Sequence, residues 1–240
     1  MKELLLFRMM AYDAVRMDGR TTFTFFSDNG EANSESATIE HERQVVNWVF
    51  NYSGANHLLY DEINIPYSYR HHLEVQQPII DNPRKKPGDI DVLLRDSGNI
   101  KQTIAIECKR VKGIVLEDGN EKVNKIEGLW SGIQQANALR ELGFYKTYLM
   151  IFVVMDGRHQ KNTSQIFRRI SSEKLASVYD FSGFGDLHEN VGIIICQISQ
   201  TSGKAMYENG TIAWREHKRA KPQEQPLDMS NRIKMLTSAK

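Results

Sequence analysis

Between Tyr145 and Met155 the chain is almost without polar residues, and Tyr148 to Met155 is its longest apolar run. A run of this length, rich in β-branched and aromatic side chains and lacking alternation, suits a strand covered on both faces. It requires a sheet with helices above and below. Val191 to Ile198 is a second run of the same kind. Ser164 to Leu175 between them has helical spacing, as does the stripe Ile126, Leu129, Trp130, Ile133 and Ala136, for which Gly143 is the stop. Earlier in the chain, a helix start at Ser34-Glu35-Ser36 leads into Ile39, Val45, Val46, Val49 and Phe50, a first core helix. His57 to Ile65 predicts a strand, and Pro66 to Pro87 a long polar loop with at most a short strand. Ile90 to Leu94 and Thr103 to Lys109 predict a hairpin about Asp96-Ser97-Gly98-Asn99. This order of elements predicts an α/β fold, a three-layer sandwich whose central mixed β-sheet is flanked by helices.

Three parts are expected: an N-terminal extension (1–34), a core domain (35–200) and a C-terminal part (201–240). In the extension, Met1 to Met17 has a helix-like apolar pattern and Thr21 to Phe26 reads as a strand. The C-terminal part has a hairpin signal at Glu208-Asn209-Gly210, and from Arg215 it reads as a basic tail. Lys and Arg number 31 against 30 Asp and Glu in 240 residues, a formal charge of +1. Charge-based function must therefore come from local placement. The five acids of Ser27 to Glu42 offset two basic excesses, eight against four in Arg84 to Lys112 and eight against four in Lys204 to Lys240. The apolar runs fall well short of the roughly 20 residues that cross a bilayer. Cys108 and Cys196 have neither zinc nor redox spacing. A cytoplasmic protein with reduced thiols and no membrane partner is the expectation.

The chemistry is concentrated in Pro87-Gly88-Asp89-Ile90-Asp91-Val92 and Ile104-Ala105-Ile106-Glu107-Cys108-Lys109. Side chains alternate along a strand, so Glu107 and Lys109 share one face and Ile104, Ile106 and Cys108 the other; Asp89 and Asp91 likewise share a face. Hairpin pairing brings two carboxylates and an ammonium to one end of the sheet. Carboxylates forced together beside an apolar core repel by several kcal/mol unless a cation neutralises them. Oxygen ligands of this kind suit Mg²⁺, with Mn²⁺ as a substitute. A Glu-x-Lys on a strand or an Asp-Ile-Asp near a turn is by itself ordinary surface chemistry; the informative feature is their combination at hairpin spacing.

This combination resembles the active-site hairpin of the PD-(D/E)XK nuclease superfamily, the restriction-endonuclease-like fold, over roughly Ser36 to Ser199. The resemblance implies Mg²⁺-dependent hydrolysis of DNA phosphodiesters. Asp91 and Glu107 would be metal ligands, the Cys108 carbonyl a third, and Lys109 the lysine that assists the attacking water. Pro87 is not directly followed by an acid, and counting about Gly98 places Asp89 as nearly opposite Glu107 as Asp91. Asp91 is the expected ligand, with Asp89 as a second-metal or supporting acid. Relatives often carry a glutamate on the first core helix: Glu42, on the stripe of Val45, Val46 and Val49, fits better than Glu40. They also carry a glutamine on the helix after the lysine strand, where Gln135 fits best and Gln134 is the alternative.

Arg84, Lys85, Lys86, Arg110 and Lys112 would hold the polyanion beside the site, giving affinity without a sequence code. Cutting both strands of a duplex would suit a homodimer, although no sequence feature demonstrates one. No phosphate-binding P-loop, His-Glu-x-x-His zinc site or Gly-x-Ser-x-Gly elbow is present. The rival from another class is a nucleic-acid-binding or assembly module that keeps the fold without turnover. Joint presence of Asp91, Glu107 and Lys109 favours the enzyme.

Overall fold

The structure is a computed structural model that describes residues 12–17, 20–27, 42–51, 53–80, 87–96, 98–124, 126–157, 165–168, 170–201 and 208–238. In chain order these form strands β1 (Tyr12–Met17) and β2 (Arg20–Ser27), helices α1 (Glu42–Asn51) and α2 (Ser53–Glu62), and strands β3 (Tyr69–Val75), β4 (Ile90–Asp96), β5 (Ile104–Val115) and β6 (Glu121–Asn124). Helix α3 (Gly128–Glu141), strands β7 (Lys146–Asp156) and β8 (Gln165–Arg168), helix α4 (Ser172–Tyr179), strands β9 (Gly192–Thr201) and β10 (Glu208–Lys218), and helix α5 (Leu227–Ser238) follow.

The ten strands make one mixed sheet, and the centre is parallel: β7 lies between β5 and β9 and runs parallel to both. From β5 outward, β4 and then the edge strand β3 pair antiparallel; from β9 outward, β10, β2 and β1 do the same. The chain is therefore α/β, with helices on both faces of the sheet. Val45, Val49 and Phe50 of α1, Leu59 of α2 and Ile63 just beyond it pack on Ile104, Ile106, Met150, Phe152 and Cys196. On the opposite face, Leu129 and Ile133 of α3 and Leu175 and Val178 of α4 meet Leu149, Ile151, Val153 and Ile193. Every β7 residue from Thr147 to Asp156 is buried, as an unalternating apolar run requires. Gly143, at φ +92°, supplies the left-handed residue beyond the end of α3.

Several local expectations are corrected. Tyr12–Met17 is a strand rather than helix, pairing from Tyr12↔Phe25 to Met17↔Arg20 with β2. Pairing with β2 outweighs the apolar spacing, which in so short a segment fits either period. His57 to Ile65 is not a strand: α2 runs to Glu62, and Leu58, Leu59, Glu62 and Ile63 are buried at helical intervals. Within the predicted loop, Tyr69–Val75 is a strand at the edge of the sheet among the described residues, a position that tolerates polar side chains. Ser164 to Leu175 is not one helix, because Ser171 is extended and caps α4 through its hydroxyl, which accepts from the Lys174 amide. β8 precedes it and pairs with both β7 and β9.

Asn209 and Gly210 are not a turn; they lie inside β10, opposite Thr201 and Gln200 of β9 and Phe26 and Phe25 of β2. Nor is Arg215 to Lys240 a tail. It completes β10 and then docks α5, whose Met229 and Ile233 pack with Leu93, Ala105, Leu139 and Phe144. Segments before and after the expected core thus contribute strands to the same sheet. The helix start expected at Ser34-Glu35-Ser36 lies outside the described residues.

Candidate active site

Strand β4 accompanies β5 for only three pairs, from Leu94↔Ile104 to Val92↔Ile106. Beyond them the amides of β5 still need acceptors, since a buried N–H left unpaired is costly. Two carboxylates take the place of the departing strand. Asp91 Oδ2 accepts from the Cys108 amide at 2.6 Å, and Glu42 Oε2 accepts from the Arg110 amide at 2.8 Å. The site thus forms where β4 splays from β5. The register and the hydrogen bond together distinguish the aspartates: the β4–β5 pairing ends at Val92↔Ile106, and Asp91, the residue before Val92, bonds the Cys108 amide. Asp89 lies just before β4 and is partly exposed.

Glu107 and Lys109 project from β5 on the α3 side of the sheet. Lys109 Nζ donates to Glu107 Oε1 at 2.7 Å, to the Cys108 carbonyl at 2.9 Å and to Glu42 Oε1 at 3.3 Å. The ammonium is therefore lodged among three oxygens from two elements. Glu107 is only 1% exposed, and its Oε2 is buried without a hydrogen-bond partner among the described residues. Glu42, the first residue of α1, is half-buried and joins that helix to β5 through both of its oxygens.

Burial pushes the Asp91 carboxyl up to about 6, against the Cys108 amide and the Lys109 ammonium, which pull it down. Burial likewise holds Glu107 well above the carboxylate range; the Asp91 charge adds to the rise and Lys109 opposes it. For Lys109, burial disfavours the ammonium, but Glu107 and Glu42 outweigh it and leave the pKa above its ordinary value. A pH dependence follows. Between 3.8, the unperturbed aspartate value, and about 6, the folded protein holds a proton at Asp91 that the unfolded chain has lost. Stability from this group is full below that window and falls as pH rises through it, by roughly 3 kcal/mol. Thermal melts in EDTA are expected to show Tm falling from about pH 4 to about pH 6. Asp91→Asn should flatten that part of the profile; an unchanged slope in the variant would refute the assignment.

Of the other expected residues, Gln135 donates from Nε2 to the Pro87 carbonyl at 3.1 Å and so ties α3 to the segment leading into β4. Gly88, at φ +91°, makes the turn between Pro87 and Asp89 with a conformation that a side chain would strain. Arg110 and Lys112 are half-buried on the strand face opposite Glu107 and Lys109. Arg84, Lys85 and Lys86 lie outside the described residues.

One residue of the site was not singled out in the sequence. Gly132, buried in the middle of α3, faces Lys109: a Cβ there would stand 2.5 Å from Lys109 Cγ and 3.0 Å from Leu149 Cδ1. Its signal was available, since glycine inside a helix is less favourable than alanine by about 1 kcal/mol and a glycine in an apolar stripe marks close approach.

Among the described residues no three or more His, Cys, Asp or Glu side chains form a group ready to hold a metal ion. The Lys109 ammonium, not a gap, lies between Glu42 and Glu107. The donor chemistry nonetheless fits a hard divalent cation: the Glu107 and Asp91 carboxylates, the Cys108 carbonyl, and the unpartnered Glu107 Oε2. No helix among the described residues is long and apolar enough to cross a membrane. Comparison with protein-family models, curated proteins and solved structures finds no match.

Proposed function

We propose that this chain is a divalent-cation-dependent nuclease of the PD-(D/E)XK, restriction-endonuclease-like kind, hydrolysing phosphodiester bonds of DNA. The observation that carries the reading is the buried oxygen set at the split of β4 from β5, with Lys109 Nζ 2.7 Å from Glu107 and 2.9 Å from the Cys108 carbonyl. A structural ion pair needs no such set. Here two acids resist ionisation, one carboxylate oxygen lacks a hydrogen-bond partner among the described residues, and a strand amide depends on Asp91. Strongly perturbed groups clustered with a specific charge partner are a mark of functional sites.

Asp91, Glu107 and the Cys108 carbonyl would hold Mg²⁺, with Mn²⁺ as a substitute, and Asp89 would support them. When bound, such a cation stabilises negative charge on a phosphodiester and makes water beside it more acidic. Lys109, once drawn from the carboxylates, meets the charge that develops on the phosphate and orients the water that attacks it. Glu42 keeps α1 against β5, and Gln135 keeps the turn before β4 in place. Arg84, Lys85 and Lys86, which precede the turn into β4, would supply non-specific affinity for the backbone.

The test is incubation of the purified protein with duplex, single-stranded and branched DNA and with RNA, in Mg²⁺, Mn²⁺ or EDTA. Cleavage of DNA with either cation and none in EDTA is the expected result. Binding without cleavage of any substrate would instead identify a nucleic-acid-binding or assembly module on the same scaffold.

A further inference from the structure

Lys109 is a long, flexible side chain, and nothing in its own chemistry dictates that its ammonium should return to the oxygens beside its own backbone. The dictating feature lies on α3. Gly132 is buried against the lysine's carbon chain, and a Cβ built on it would meet Lys109 Cγ at 2.5 Å and Lys109 Cε at 3.2 Å, with Leu149 Cδ1 at 3.0 Å on the other side. The first of these is closer than real Cβ atoms come. Lys109 therefore lies in a slot one methyl group deep, floored by the helix backbone at Gly132 and walled by Leu149. Its ammonium emerges among Glu107, the Cys108 carbonyl and Glu42. Gly128, the first residue of the same helix, has nothing within 4 Å of an added Cβ, so close approach is a property of the position and not of the helix.

We propose that Gly132 is a positioning residue that sets where the Lys109 ammonium sits. It acts through Lys109 and does not touch the reacting atoms. Its catalytic consequence rests on the nuclease reading, while its geometric consequence does not, and the experiment separates them.

Gly132→Ala, Lys109→Ala and the double variant are compared by thermal melting, with Gly128→Ala as the control. The added methyl is expected to lower Tm by at least about 3 °C in the wild-type background. In the Lys109→Ala background, where the closer obstruction is gone and only Leu149 Cδ1 at 3.0 Å remains, the loss is expected to fall to less than about half, with alanine's helix preference acting in the opposite direction. Equal losses in the two backgrounds would overturn the proposal. If Gly132→Ala fails to fold, recovery of folding in the double variant supports it, and failure of the double variant as well overturns it. On DNA with Mg²⁺, Gly132→Ala should lower kcat by about 100-fold, the scale of a displacement near 1 Å in a catalytic group. KM should stay within about threefold of wild type, because the substrate's own contacts are untouched. Gly128→Ala should keep the wild-type kcat, and Gly132→Ala cleaving at the wild-type rate would also overturn the proposal. Absence of cleavage by the wild-type protein would end the nuclease reading alone, since the melting comparison still reports whether Gly132 places Lys109.

Discussion

Lys109→Met is expected to reduce Mg²⁺-dependent cleavage by about 10³-fold, to leave DNA binding in place, and to tighten the hold on the divalent cation. Methionine keeps much of the carbon chain that fills the slot beside Gly132 but carries no charge. Loss of cleavage follows because no other ammonium contacts Glu107 or the Cys108 carbonyl among the described hydrogen bonds. Tighter cation binding follows from occupancy: the ammonium at 2.7 Å from Glu107 and 2.9 Å from the Cys108 carbonyl competes for the same oxygens. Cation-free protein should suffer in turn. Removing one partner of a buried ion pair costs about 3–5 kcal/mol when the other stays charged. Glu107 can escape part of that by taking up a proton, so the loss of Tm should be larger at pH 8 than at pH 5. Titration calorimetry with Mg²⁺ and cleavage kinetics on one preparation decide the matter. Undiminished cleavage, or weaker cation binding by the variant, would sink this account of Lys109.

Deleting residues 221–240 is expected to leave a chain that does not fold, rather than a folded nuclease with weaker DNA affinity. Met229 and Ile233 of α5 close a cluster that includes Leu93 of β4 and Ala105 of β5, the strands that carry the site. Gln223 Nε2 donates to the Arg140 carbonyl at 3.0 Å and the Phe144 carbonyl at 2.7 Å, satisfying acceptors at and beyond the end of α3. Gln225 Nε2 donates to the Ile100 carbonyl and to Ser230 Oγ, each at 2.9 Å. Ile233 is fully buried, so Ile233→Ala alone should cost about 2–5 kcal/mol in urea denaturation. A truncated protein with a native-like cooperative melt would refute this role.

Both results bear on what could be read without the fold. The basic composition of Arg215 to Lys240 suggested a tail because charge is conspicuous, whereas Met229, Ile233 and Leu236 at helical spacing are a sparse signal. Val45, Val46 and Val49 marked the buried stripe of α1, and Glu42 lies half-buried at the start of that helix. That Glu42 caps the Arg110 amide, 68 residues away, was not in the stripe. Asp89 and Asp91 stayed equivalent to hairpin counting because the exact turn between β4 and β5 was open. The pairing Val92↔Ile106 removed that freedom, and the Asp91 bond to the Cys108 amide distinguishes the two acids further. Tyr12–Met17 and His57 to Ile65 were misread for a related reason: short apolar segments fit either period until a partner strand or a helix stripe is known.

The sequence by itself determined the doubly covered centre of the sheet, the alternation that puts Glu107 and Lys109 on one face, and the helix that follows them. These depend on local periodicity, which neighbouring residues set. The tertiary structure alone decided where β4 leaves β5, that Asp91 and Glu42 replace it on the exposed amides, and that Gly132 lies on Lys109. These are contacts between segments far apart in the chain. Their register is chosen by burying both faces of the sheet at once while leaving few backbone amides without an acceptor, a condition that no local window contains.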